Sequence, residues 1–164
     1  MKKLIILLFA ILPLGVFAQE AKIAYVNVGE IFNAMPEMAA IEQQMAELNE
    51  KYTTELRQMQ DEYTKKYQDF VAQQDSLTEN IKLRRMQEIE DIRARMDNFV
   101  PIAQQDVQQR QQELLMPVQD KIQNAIKAVG EENGYTYIID PSVFLYTSDN
   151  AINATQKVRT KLGL

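Results

Sequence analysis

The chain has 164 residues with five glycines, no cysteine, no histidine and a formal net charge of −5. This composition excludes disulfides and removes the commonest nucleophile, general base and metal ligand, while the acidic balance disfavours nucleic acid as a partner. Neither GxxxxGK nor GxGxxG occurs, so no nucleotide-phosphate cradle is expected, and no catalytic, cofactor-binding or metal-binding residue is nominated.

Lys2 and Lys3 precede an apolar run over 4–17 that Pro13 and Gly15 interrupt. Val16-Phe17-Ala18 then places small side chains where a signal peptidase needs them, and the run is short for a membrane span of roughly 20 residues. Residues 1–18 therefore read as a signal peptide, with export to the periplasm and a cut after Ala18. No cysteine follows, so a lipid anchor on a mature N-terminal cysteine is excluded. The mature chain would carry sixteen basic and twenty-three acidic side chains, a net charge of −7. A small exported protein without disulfides gains stability from oligomerisation.

Lys22-Ile23-Ala24-Tyr25-Val26-Asn27 is apolar and partly β-branched, which suits a short strand. A short helical turn is expected over 28–35, and Pro36 restarts the helix at its first position. From Glu37 the apolar residues Met38, Ile41, Met45, Leu48, Tyr52, Leu56, Met59, Tyr63, Tyr67 and Phe70 recur at steps of three and four. That spacing is one narrow stripe along a long helix, suited to a single partner helix. No glycine marks a turn between 37 and 100, yet Asp75 and Ser76 break the pattern near 73–80. Ser76-x-x-Glu79 reads there as a capping box opening the return helix. The return stripe comprises Ile81, Ile89, Ile92, Met96, Phe99, Ala103, Val107, Leu114, Val118, Ile122 and Val129. Pro101 and Pro117 lie inside it; each removes a backbone donor, so both are expected to bend the helix and to serve as hinges of the arm.

Gly130 and Gly134, with Asn133, are expected to stop that helix. Tyr135-Thr136-Tyr137-Ile138-Ile139 reads as a second strand, Asp140-Pro141 as a turn and Val143-Phe144-Leu145-Tyr146 as a third strand. Asp149 or Asn150 would cap a final helix ending near Lys161. The predicted strands sit at opposite ends of the chain. For them to pair, the helices between must go out and return, giving an arm of roughly 55–70 Å at 1.5 Å per residue.

The expected fold is mainly α with a small β base: a long antiparallel helical-hairpin (coiled-coil) arm over 37–129, tip near 73–80, on a short-stranded trimerisation base formed by 19–36 and 130–164. Ile23, Tyr25, Val26, Ile138, Ile139, Val143 and Leu145 are the candidate residues of that oligomerisation base. Glu88, Glu90 and Asp91 lie at helical spacing on a charged face, which reads as solvated rather than catalytic. The methionines and tyrosines on the stripe read as seam. The off-stripe apolar residues Val71, Leu83, Val100 and Leu115 are the candidate contacts with a bound polypeptide. Between Lys65 and Arg95 the balance is +1, leaving −8 for the rest of the mature chain. Both signs are interspersed there, so the tip reads as a solvated mixed face, and contact with a membrane is left open.

The opening Lys22-Ile23-Ala24-Tyr25-Val26-Asn27 with Ile31-Phe32, and the closing 122–129, Tyr135-Thr136-Tyr137-Ile138-Ile139-Asp140, 143–146 and Asp149-Asn150, resemble the Skp/OmpH family of periplasmic chaperones. The segment between resembles only a generic coiled coil. The resemblance implies a homotrimer whose strands join in a central base while three arms enclose a cavity. It also implies an ATP-independent holdase that binds unfolded outer-membrane β-barrel proteins before their insertion; the absent chemistry described above argues against an enzyme, and no cofactor is expected. The best-known members are strongly basic whereas this chain is acidic, so no lipopolysaccharide or anionic-membrane site is carried over. A structural coiled-coil scaffold or spacer of the cell envelope is the alternative, and an envelope-associated enzyme a distant third.

Overall fold

The computed structural model describes residues 21–164. The predicted signal segment and its cut after Ala18 lie outside the described residues. In chain order the elements are strand β1 (Ile23–Tyr25), helices α1 (Val28–Ala34), α2 (Glu37–Gln73) and α3 (Glu79–Asn133), strands β2 (Tyr137–Ile139) and β3 (Ile152–Asn153), and helix α4 (Thr155–Leu162). The two ends of the chain meet. β1 is the central strand of a three-stranded parallel sheet ordered β2-β1-β3. It pairs Ala24 with both Ile138 and Ile152, and Tyr25 with both Ile139 and Asn153. A parallel pair needs a crossover connection, and here the crossover from β1 to β2 is the whole arm.

The period-2 rule divides the sheet into two faces. Ala24 and Val26 point into a core shared with Ile31, Met35, Ile41, Val118, Ile122, Ala125, Val129, Ala154 and Val158, and Ile138 and Ile152 pack against it. The other face carries Ile23 and Tyr137, both about half exposed, beside the partly buried Tyr25 and Ile139. The core cluster, with its flanking Met45 and Leu114, occupies only the near end of the arm. Beyond that point α2 and α3 have only each other.

At 1.5 Å per residue the 37 residues of α2 span about 55 Å and the 55 residues of α3 about 80 Å. The expected stripes form their seam, with Ile41, Ile89, Ile92 and Ala103 buried in it. Polar pairs set the register from base to tip. Lys121 meets Glu37 at 2.6 Å, Arg95 meets Glu62 at 3.7 Å and Lys66 meets Glu88 at 3.0 Å. The carboxyls of Glu88 and Glu37 are held below the usual carboxylate range, first of all by hydrogen bonds from Lys66 and Lys121 respectively. These pairs are exposed and contribute alignment more than stability.

Several local expectations are corrected. Pro36 stands just outside α2 rather than at its first position. The tip is a 3-10 turn, Gln74–Ser76, followed by an extended Leu77, and Thr78 rather than Ser76 precedes α3. No capping box forms; the Ser76 hydroxyl donates to the Gln73 carbonyl instead. Every residue of the reversal keeps φ negative, so the chain doubles back without glycine. α3 passes through Pro101 and Pro117 as one helix, although Asp97 and Glu113 there lose the donors that would reach their carbonyls.

Gly130 does not stop α3. It lies inside the helix, where a Cβ would come within 3.3 Å of Ile138 Cδ1, so its missing side chain lets β2 pack close. The stop is Gly134, left-handed at φ 62°, as a helix C-terminus favours. The expected third strand is also wrong. Asp140 caps a 3-10 turn, Pro141–Val143, which carries the following apolar residues away from the sheet; Ile152–Asn153 takes the place beside β1. The last helix consequently begins at Thr155, not near Asp149. The Asn153 side chain accepts from the Thr155 N–H, and the Thr155 hydroxyl accepts from the Asn27 N–H.

Asp140 links the two halves of the base, because one carboxylate oxygen accepts from the Ser142 N–H and the other from the Val28 N–H at the start of α1. Hydrogen bonds from Ser142 hold its carboxyl below the ordinary Asp range, with Val28 adding to them against partial desolvation. A lowered folded value means this stabilisation is complete above the unfolded pKa and is lost as the pH falls through the folded one. Asp140→Ala is therefore expected to lower the unfolding free energy by about 1 kcal/mol at neutral pH, as for a lost cap. Urea melts of wild type and variant should converge in acid; an unchanged gap would show that the charge contributes nothing.

Candidate functional site

The helical arm presents two kinds of surface. Its seam is closed by aromatic and aliphatic residues, whereas both flanks stay open to solvent because two helices cannot cover one another's outer faces. Midway along, residues of both helices line an open groove of about 570 Å³. Tyr52, Leu56, Phe99, Val100, Ala103 and Val107 form its apolar lining, with Asn49, Gln104 and Gln108 at its edges. Tyr52 packs edge-to-face on Phe99, with centroids 5.7 Å apart. Its hydroxyl donates across the seam to Asp106 Oδ2 at 2.5 Å. The Asp106 carboxylate accepting that proton pushes the Tyr52 phenol above its usual range, since ionising it would place two anions side by side.

The sequence-nominated contact residues scatter. Val100, 38% exposed, lines the mid-arm groove. Leu83, 67% exposed, and Val71 are open to solvent in the outer part of the arm, in the helical segments flanking the tip turn. Leu115 is different, since it packs against the core cluster at the arm's foot. Met86 and Ile102 add exposed apolar surface that the sequence reading passed over. Tyr67, assigned to the seam, is half exposed and stacks on Tyr63 at 6.2 Å. The groove itself was missed because Tyr52 and Phe99 fit the stripe. The available signal was the run Gln104-Gln105-Asp106-Val107-Gln108-Gln109-Arg110-Gln111-Gln112, amide-rich beyond what a solvated coiled-coil face requires.

The candidate base residues also divide. Val26 is fully buried in the chain's own core, and Ile138 packs on that core. Ile23, Tyr25 and Ile139 belong to the opposite sheet face. Val143 is 68% exposed and Leu145 wholly so, with no strand partner, while Tyr146 lies open beside them at 83%. A shallow depression lined by Ile23, Tyr25, Phe144 and Tyr146 joins that face to the loop. Outer sheet face and loop thus make one continuous apolar surface. Contiguous exposed apolar surface is the kind of feature from which interaction sites are built.

Among the described residues no group of three or more metal-binding side chains occurs, and no helix is long and apolar enough to cross a membrane. Comparison with known proteins agrees with the architecture. The family model described as "Outer membrane protein (OmpH-like)" matches residues 22–162. A protein named "Chaperone protein Skp" from Photorhabdus laumondii is 35% identical over 140 residues, covering 83% of each chain. One of the same name from Yersinia enterocolitica is 33% identical over 131 residues, covering 78% of each. The crystal structure of an OmpH-like protein from Caulobacter crescentus superposes with a TM-score of 0.75 over 86% of this chain and 83% of that one. At 11% identity this last likeness concerns the fold alone. With its helical-hairpin arm, its parallel three-stranded base and matched residues spanning nearly the whole described chain, the protein belongs to the OmpH-like outer membrane protein family.

Proposed function

We propose that this chain is an exported, ATP-independent holdase chaperone that keeps unfolded outer-membrane β-barrel proteins from aggregating in the periplasm before insertion. The observation that carries the reading is an arm that leaves its own core behind and exposes apolar residues along its length, in a chain about one-third identical to proteins named Chaperone protein Skp. Three copies joined through the apolar sheet face and the 143–146 loop would cover the surface each chain leaves open, and would set three arms around a common space. Pro101 and Pro117 are the flexing points in this reading, because α3 has lost a backbone bond at each. Many weak contacts along mobile walls retain a client by multivalency, and each breaks easily enough for release to need no nucleotide.

The test is dilution of a urea-denatured β-barrel porin into buffer containing an equimolar amount of the assembled protein, followed by light scattering. Scattering should fall to a small fraction of the control, with or without ATP. Undiminished aggregation would remove the holdase reading and favour a scaffold.

A further inference from the structure

Building on the holdase reading, we propose that the mid-arm groove takes an extended, positively charged stretch of unfolded polypeptide. The groove supplies the apolar component, since Tyr52, Leu56, Phe99 and Val100 line an open slot. Its edges supply a second component. Gln104 and Gln108 make no side-chain hydrogen bond among the described residues, and an amide can donate to and accept from the unpaired peptide groups of an extended chain. Together these features recognise backbone and apolar side chains with little regard to order, as an unfolded client requires.

Charge decides which stretches dock. The arm segments that contain the groove, 37–62 and 97–121, carry eleven acidic and four basic side chains. The outer arm, 63–96, has six acidic and seven basic, and the base is balanced at five of each over 21–36 and 122–164. The negative balance of the described chain is thus confined to the part of the arm that holds the groove. Only Glu37, Glu62 and Glu113 of those eleven are in ion pairs among the described residues. Helical spacing places Glu50, one turn before Thr53, and Asp97, one turn before Val100, on the groove's flanks, with Asp61 two turns beyond Thr53. Arg57 is the base interposed among them. Lysine and arginine stems bury well along apolar surface while their heads reach flanking carboxylates, so a cationic segment satisfies slot and rim together.

The probes are two unstructured peptides of equal length and apolar content, one with lysine and the other with glutamate at alternate positions. Fluorescence anisotropy with the full mature protein should give at least about tenfold tighter binding of the lysine peptide at low salt. That gap should close at about 0.5 M salt, as screening requires. Glu50→Lys, Asp61→Lys and Asp97→Lys together should reverse the preference; all three are exposed, so the fold is kept. Val100→Ser should weaken both peptides several-fold. Equal affinity for the two peptides, or a preference that survives the triple reversal, overturns the inference. A protein that suppresses porin aggregation yet shows no preference loses only this inference. One that prefers the lysine peptide but leaves porin aggregation unchanged loses the holdase reading and keeps the groove.

Discussion

Replacing Ile31 by alanine should lower the unfolding free energy by about 3 kcal/mol, among the largest effects expected of any single truncation in this chain. Ile31 is 0% exposed and sits where the two chain ends converge, packed in one cluster with Ala24 from β1, Val129 from α3 and Val158 from α4. Removing its branched side chain forfeits the transfer of several carbons out of water and leaves a void. The surrounding groups are held by the sheet, by the Asn27 cap of α1 and by the Arg159–Glu30 pair at 2.8 Å, so they are poorly placed to collapse into it. The arm adds little to compensate, since a two-helix seam buries few residues completely. Urea denaturation followed by circular dichroism at 222 nm checks the value. A loss under about 1 kcal/mol would place the stabilising core elsewhere, for instance in the outer seam.

The arm was legible because periodicity is a strong signal over long stretches. Ten apolar residues at steps of three and four admit only a helix with one narrow sticky face, and the return stripe supplies its partner. The pairing of distant ends followed from the position of the strands. What failed were decisions resting on two or three residues. Val143-Phe144-Leu145-Tyr146 has better strand composition than Ile152-Asn153, yet composition says nothing of where Pro141 aims the chain. Gly130 and Gly134 look alike in sequence, and only tertiary contact separates a glycine needed for Ile138 from one needed for a positive φ. The groove was hidden for a related reason. A stripe predicts which residues face the partner helix but not where the side chains of two helices leave a slot between them. Among the candidate contacts, Val100 lies at that slot and Leu115 is drawn into the core; their helical positions differ by too little for the pattern to distinguish them.

Leu145→Asp is expected to abolish assembly while leaving the individual chain folded. Leu145 is wholly exposed in the single chain and belongs to no strand, so a carboxylate there meets only water and costs the isolated fold almost nothing. If copies of the chain join through the outer sheet face and the 143–146 loop, the same carboxylate must be desolvated without a partner, a penalty of several kcal/mol repeated at every copy. Because the substitution acts once per subunit, the effect on association is multiplied by symmetry. Light scattering coupled to size exclusion should give the mass of three chains for wild type and of one chain for the variant, with helical circular dichroism retained. The arms would then no longer surround a common space, so the variant should also lose most of its suppression of porin aggregation. A variant that remains assembled would exclude this loop from the interface and leave the half-exposed Ile23 and Tyr137, on the outer sheet face, as the surface to test. A wild type that runs as a single chain would show that the apolar face stays uncovered, which a chain with so small a core tolerates poorly.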